Sequence, residues 1–311
     1  MLSVRHLIDT TSLTAEDITE ILDTARSFAE VNSREIKKVP ALRGKTIVNL
    51  FLEPSTRTRS SFELAEKRLS ADSLNMSGSQ SAVVKGESLA DTIQTISAMN
   101  VDMFVCRAKM AGTPYIITQN TDARVINAGD GKHQHPTQAL LDLFTIREHF
   151  GHLEGLKVAI VGDLLHSRVV GSLVPALVTM GVDVTLVGPP TFLLTCPEYY
   201  GVKQTTKLDD IIGDMDVVYM LRVQLERMEG ASIPSKREYN TLFGLDARRH
   251  AMMKEGAIVC HPGPMNRGME INSVAADADN SRILNQVNAG VAVRMAAMYL
   301  LLGGDNNGIN A

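Results

Sequence analysis

The chain has 311 residues, enough for two domains of ordinary size, and its 44% hydrophobic and 21% charged content is that of a soluble globular protein. A net charge of −4 argues against a nucleic-acid binder, so any cations that matter must act locally. Cys106, Cys196 and Cys260 are far apart and lack CxxC spacing, and no stretch has membrane length or a leader's apolar core; a reducing cytoplasm is expected, with no disulfide framework, no metal site and no membrane.

In chain order, residues 14–31 predict an amphipathic helix, with Thr14 as N-cap, Asp17 at N3, and Ile18, Ile21, Leu22, Ala25, Phe28 and Ala29 as the buried stripe. Residues 45–52 are apolar and β-branched and read as a buried strand. Then come Glu53, Pro54, Ser55, Thr56, Arg57, Thr58, Arg59, Ser60, Ser61, Phe62 and Glu63, followed by Leu64, Ala65 and Leu69 at helical spacing. A helix cap needs one hydroxyl and no arginine, whereas residues 55–60 hold four hydroxyls and two arginines. Packed into a strand-to-helix turn, where helix N–H groups and the dipole favour negative charge, they point to a phosphate site.

Residues 70–76 predict a short strand, and 77–86 a small, polar, glycine-containing loop that includes Ser81 and Lys85. A helix opens at Ser88, with Leu89, Ile93, Ile96 and Met99 on its apolar face. Residues 101–107 form a strand ending in Arg107, and ligands of open α/β sheets bind beyond strand carboxyl ends. Residues 125–131 run from a strand into a glycine turn, and His135 precedes Pro136 at the mouth of an apolar helix with Gln138 in its first turn. Residues 157–163 begin a second α/β unit, but Gly162 is not followed by the second glycine of a dinucleotide fingerprint. Arg168 opens the next helix, Arg222 and Gln224 follow another strand, and His261, Pro262, Gly263 and Pro264 make a rigid turn after the last one. A C-terminal apolar helix carries Val291, Met295, Met298 and Leu302. The repeat of strand, polar loop and helix predicts an α/β fold of two doubly wound domains with mainly parallel sheets, divided near Phe150, the last helix returning to the first domain.

The convergent groups are cations and neutral donors, with no nucleophile elbow and no metal-ligand pattern. Such a site binds anions and polarises a carbonyl electrostatically.

The stretch from Phe51 to Glu63 resembles the carbamoyl-phosphate motif of the aspartate and ornithine carbamoyltransferases, and His135, Pro136, Thr137 and Gln138 match a second motif of that family. The likeness runs from about Val4 to Leu302. It implies the carbamoyltransferase fold, with a carbamoyl-phosphate-binding domain over 1–149, joined by the C-terminal helix 290–311, and an aspartate-binding domain over 150–289. It implies carbamoyl transfer from carbamoyl phosphate to the α-amino group of L-aspartate, in pyrimidine biosynthesis, without a cofactor. Ser55, Thr56, Arg57 and Thr58 would hold the phosphate; Thr58, Arg107 and His135 would polarise the carbonyl oxygen; Gln138 and the carbonyls around Gly263 and Pro264 would hold the carbamoyl NH2. Arg168, Arg222 and Gln224 would bind the aspartate carboxylates, and Ser81 and Lys85 would arrive from the neighbouring subunit of a homotrimer with shared sites. Aspartate would then draw the domains together.

An ornithine or other amino-acid carbamoyltransferase is the rival reading. Two carboxylates call for two cations, which Arg168 and Arg222 supply, and the ornithine motif His-Cys-Leu-Pro is His261-Pro262-Gly263-Pro264 here. A phosphate-binding scaffold without catalysis would have lost Arg57, Thr58, Lys85 or His135, and all four are present. Two departures stand out. Ala108 and Lys109 replace the family's His-Pro after the strand-end arginine, and residues 263–268 differ from members that pair with a regulatory chain. A regulatory chain or a dihydroorotase as further partner stays open.

Overall fold

The computed structural model describes residues 2–77, 87–224 and 235–303, so Ser81 and Lys85 lie outside the described residues. The chain packs as two units, Met1–Phe144 with Asn288–Ala311, and Thr145–Val287. The first contains α1 (Ala15–Ser33), β1 (Thr46–Phe51), α2 (Thr56–Arg68), β2 (Asp72–Ser77), α3 (Leu89–Ser97), β3 (Met103–Ala108), α4 (Thr113–Thr118) and β4 (Arg124–Asp130). The division falls inside α5 (Pro136–Phe150). The second unit contains β5 (Lys157–Val161), α6 (Arg168–Thr179), β6 (Asp183–Val187), β7 (Lys203–Thr205), β8 (Val217–Met220), α7 (Lys236–Phe243), α8 (Ala247–Met252), β9 (Ile258–Cys260) and α9 (Ser273–Ala276). The last helix, α10 (Ile283–Leu301), begins in the second unit and ends in the first.

Both sheets are parallel throughout, so the expected α/β class with two doubly wound domains is what forms. Their strand orders are β2-β1-β3-β4 and β7-β6-β5-β8-β9. In each, the chain winds outward in one direction, returns past the starting strand and winds the other way. The order therefore reverses between β1 and β3 in the first sheet and between β5 and β8 in the second. Loops leaving two such strands diverge and open a crevice at their carboxyl ends. In the first sheet those loops begin at Leu52 and Lys109; in the second, at Gly162 and Leu221.

The central strands β1, β3, β5 and β8 are buried runs rather than alternating ones, as two helical layers require, whereas the edge strands β2 and β7 are largely exposed or half-buried. Val48 and Leu50 of β1 pack with Phe104 and Cys106 of β3, Val125 of β4, and Ile93 and Ile96 of α3. Ala159 and Val161 of β5, Val218 and Met220 of β8 and Val259 of β9 form the counterpart in the second unit. α1 starts with the expected reciprocal cap: the Thr14 hydroxyl accepts from Asp17 N–H at 3.1 Å and the Asp17 carboxylate accepts from Thr14 N–H at 3.0 Å. Its buried stripe continues through Val31, with Ala29 only half-buried.

One expected apolar-face position is corrected. Met99 is 60% exposed, because α3 stops at Ser97 and Asn100, at φ +58°, turns the chain out of the helix. Leu64 is exposed, because it falls off the face of α2 that Thr58, Phe62, Ala65 and Glu66 bury. β7, a three-residue edge strand, was not foreseen; Lys203, Gln204 and Thr205 carry no apolar signal.

Candidate active site

In the first unit, the Ser55-to-Thr58 stretch becomes the N-terminus of α2, as its composition demanded. Ser55 is the N-cap, and its hydroxyl makes no capping bond. The first helical bond runs from Arg59 N–H to the Ser55 carbonyl at 3.3 Å, so the N–H groups of Thr56, Arg57 and Thr58 lie ahead of the helical ladder. No acidic side chain occupies this first turn, while Lys67 and Arg68 sit in the last. The dipole is thus compensated at its negative end and left open at its positive end. Thr56 and Arg57 are exposed there, Ser55 half-buried and Thr58 buried.

Arg107 reaches the same place from β3. Its Nη1 donates to Thr58 Oγ1 at 3.3 Å and to the Ala128 carbonyl at 3.2 Å, and its Nη2 pairs with Glu53 Oε1 at 3.0 Å. A register shift makes this geometry. Cys106 pairs with Asn127 and Ala108 with Asp130, so Ala128 and Gly129 together face Arg107. That bulge turns the Ala128 carbonyl toward the guanidinium. The Asn127 Oδ1 accepts from Gly129 N–H at 2.8 Å and holds the bulge in place.

His135 is buried at the mouth of α5, where its carbonyl accepts from Gln138 N–H at 2.9 Å. The loop before it is organised by Asp130, which the sequence reading passed over. Asp130 Oδ1 accepts from Asn127 Nδ2 and Gln134 N–H, and Oδ2 accepts from Gly112 N–H and faces His133 Nδ1. Gly131, at φ +49°, is needed there: a Cβ would lie 3.0 Å from both Ala111 N and the Lys109 carbonyl. The Asp130-Gly131 pair was the available turn signal. Gln138 Nε2 donates to Asp142 Oδ1 at 3.0 Å. Cys106, next to Arg107, is no nucleophile, since burial and the Asp130 charge push its thiol far above the usual range.

The second unit gathers its own set where the β5 and β8 loops leave the sheet. Arg168 is the first residue of α6 and is buried; Arg222 and Gln224 follow β8 and are half-buried. In the loop after β5 lies Asp163, fully buried: Oδ1 accepts from His166 N–H at 3.1 Å and lies 2.8 Å from His166 Nδ1, and Oδ2 accepts from Gln224 N–H at 3.3 Å. The turn carrying Gly263 and Pro264 is braced by His261. Its Nδ1 accepts from Gly263 N–H at 2.7 Å, which leaves Nε2 to carry the proton toward Glu270 Oε1 at 3.2 Å. Asn266 Nδ2 donates to the Val223 carbonyl at 3.2 Å and so ties this turn to the loop of Arg222 and Gln224. Among the described residues, no cluster of His, Cys, Asp and Glu could hold a metal ion.

The first unit therefore presents a helix mouth with Arg57, the Arg107 fork and a histidine, and the second presents two arginines and a braced glycine-proline turn. A two-domain α/β protein with these two sets is of the carbamoyltransferase class. Residues 5–148 match the model of the aspartate/ornithine carbamoyltransferase carbamoyl-P binding domain, and residues 154–301 that of the aspartate/ornithine carbamoyltransferase Asp/Orn binding domain. The chain belongs to the aspartate/ornithine carbamoyltransferase family. Among its relatives, the aspartate carbamoyltransferase catalytic subunit of Syntrophotalea carbinolica is 54% identical over 301 residues, covering 97% of this chain and 96% of its own. The crystal structure of aspartate transcarbamoylase from Trypanosoma cruzi in complex with carbamoyl phosphate superposes with a TM-score of 0.87 at 31% identity, over 94% of each chain. The catalytic subunit of M. jannaschii aspartate transcarbamoylase gives 0.84 at 37% identity, over 98% of this chain and 100% of that one.

Proposed function

We propose that the chain is an aspartate carbamoyltransferase, transferring the carbamoyl group of carbamoyl phosphate to L-aspartate to give N-carbamoyl-L-aspartate and phosphate in de novo pyrimidine biosynthesis. The observation that carries the choice of acceptor is what stands beyond β5 and β8: Arg168 and Arg222, two cations for two carboxylates. Among the described residues of these two loops, the acid is Asp163, and both its oxygens are engaged by His166 and Gln224, which leaves it poorly suited to hold a cationic ornithine side chain.

In this reading, the helix mouth at Ser55, Thr56, Arg57 and Thr58 takes the phosphate. Thr58, Arg107 and His135 donate to the carbonyl oxygen, and Gln138 with the Gly263 and Pro264 carbonyls holds the NH2. Arg168, Arg222 and Gln224 hold the acceptor. The neutral α-amine attacks the carbonyl carbon and a C–N bond forms. The tetrahedral oxyanion is stabilised by donors already in place. The bond from carbon to the bridging phosphate oxygen then breaks, phosphate leaves with the electron pair, and the amine proton passes to phosphate or water. Catalysis comes from juxtaposing two bound substrates and from the oxyanion donors, without a covalent intermediate or a cofactor.

The first unit serves as the carbamoyl-phosphate domain and the second as the aspartate domain. Ser81 and Lys85 complete a neighbour's site in a homotrimer, a closed ring of heterologous contacts. A regulatory chain or a dihydroorotase could add to that ring. Product formation from carbamoyl phosphate with aspartate, compared with ornithine, tests the reading. Carbamoyl-ornithine formed at a comparable or higher kcat/KM would overturn it.

A further inference from the structure

α10 is buried on every side from residue 289 to 299, and Arg294 is the one charged residue in that run. Burying a guanidinium costs several kcal/mol before any partner offsets it, so a cation here needs a reason. Its bonds go to neutral groups. Nη1 donates to Ser61 Oγ at 2.8 Å and to the Gly290 carbonyl at 3.0 Å, and the guanidinium carbon lies 5.0 Å from the centre of the Phe62 ring. Nε is buried without an acceptor. The fold reserves room for this arrangement: a Cβ at Gly290 would come within 2.5 Å of Arg294 Nη1 and 3.3 Å of Leu141 Cδ2.

The partners of Arg294 are the elements that carry the anion site. Ser61 lies three residues beyond Thr58, on the same side of α2. The Arg107 fork grips α2 at Thr58 and the Arg294 fork grips it at Ser61. On α5, the Asp142 charge acts favourably on Arg294, while the same carboxylate holds the Gln138 amide. Arg107 acts unfavourably, as one cation on another, and burial with that repulsion brings the Arg294 pKa down to about 10. It remains charged at neutral pH. An anion bound at the α2 mouth relieves the repulsion between the two guanidinium groups.

We propose that Arg294 is a positioning residue for carbamoyl phosphate: a buried cation behind the helix mouth that fixes α2 through Ser61, acts on Gln138 through Asp142, and adds positive potential where the phosphate binds. This rests on the carbamoyl-phosphate reading of that site.

The test separates this role from plain packing. Replacing a buried cation by an apolar side chain of similar volume is often neutral or stabilising. A packing role therefore predicts that Arg294→Met keeps both stability and binding. The proposal predicts unchanged or raised Tm with binding of phosphonoacetate, measured by calorimetry, weakened about tenfold or more, the scale seen when a group supporting a ligand contact is lost. Arg294→Lys, which keeps the charge, should recover most of that affinity. Gly290→Ala keeps the charge but displaces the guanidinium; it should weaken phosphonoacetate binding too, and it carries the test should Arg294→Met fail to fold. Binding within twofold of wild type in Arg294→Met, or in Gly290→Ala if the first does not fold, overturns the proposal. Calorimetry needs no turnover. Wild-type protein that binds phosphonoacetate but makes no carbamoyl-aspartate would count against the proposed reaction and leave this measurement standing.

Discussion

Glu66 gives a prediction whose size can be worked out. It lies on the inner face of α2, fully buried, and its Oε2 accepts from Asn49 Nδ2 of β1 at 2.9 Å. Its Oε1 and the Asn49 Oδ1 are both buried acceptors without a donor. A proton on Oε1 would supply one. Burial, opposed by the nearby Ser73 hydroxyl and by the Asn49 hydrogen bond, pushes the carboxyl up from 4.5 to about 6. Between those values the folded chain keeps a proton that the unfolded chain has released, so this group's stability is greatest below pH 4.5 and is lost as pH rises through 6. A shift of about 1.5 pKa units corresponds to about 2 kcal/mol at pH 8. Glu66→Gln supplies the donor at every pH. Urea unfolding of both proteins from pH 4.5 to 8 should show the variant gaining about 2 kcal/mol on wild type across that range, or about 4–8 °C in Tm for a domain of this size. An offset due to the amide itself would not vary with pH. A difference that stays flat, or shrinks as pH rises, would refute the buried-acid account.

Arg57→Ala removes an exposed fork from the helix mouth, and kcat should fall on the order of 10²-fold, as for the loss of one electrostatic transition-state donor; wild-type turnover would take Arg57 out of the site. Asp163→Asn loosens the Gln224 backbone and the His166 ring together, so KM for aspartate should rise about tenfold or more while phosphonoacetate binding stays put; a change in phosphonoacetate affinity instead would show that the two substrate sets are assigned wrongly. Inactive Lys85→Ala and His135→Ala proteins, dissociated and reassembled together, should regain activity if sites are shared between subunits; confirmed hybrids that stay dead would mean Lys85 acts within its own chain.

The part of the site legible in the sequence is the part whose chemistry exceeds a structural need. Four hydroxyls and two arginines at one helix start are more than capping asks for, and that excess is visible without coordinates. His135 ahead of Pro136 was legible for the same reason, because a proline fixes where the helix begins. The central strands of both sheets were legible as buried apolar runs, whereas β7 was not, since an edge strand of Lys203, Gln204 and Thr205 needs no apolar face. The bulge at Ala128 and Gly129 was not legible either. It exists only as a mismatch between β3 and β4, and neither strand alone records a register.

Unlike Asp130, whose bonds to Asn127, His133 and Gln134 are local, the other groups that sequence reasoning missed have partners distant in the chain. Arg294 meets Ser61 across 233 residues and Asn49 meets Glu66 across 17, and neither residue sits in a motif of its own. A hydrophobic period assigns such positions to the core and says nothing of polar atoms there. Gly290 was the available clue, since a glycine inside an otherwise apolar helix lowers helix stability and is retained for a packing reason. What the fold adds is the reason itself. The parallel strand order brings the carboxyl ends of β1 and β3 together, so that α2 and Arg107 face one crevice. α10 then supplies a second cation to the buried flank of the same helix. Arg107 reaches that helix from a strand end, where a sequence rule could find it; Arg294 reaches it from inside an apolar helix, where only the contact with Ser61 reveals it.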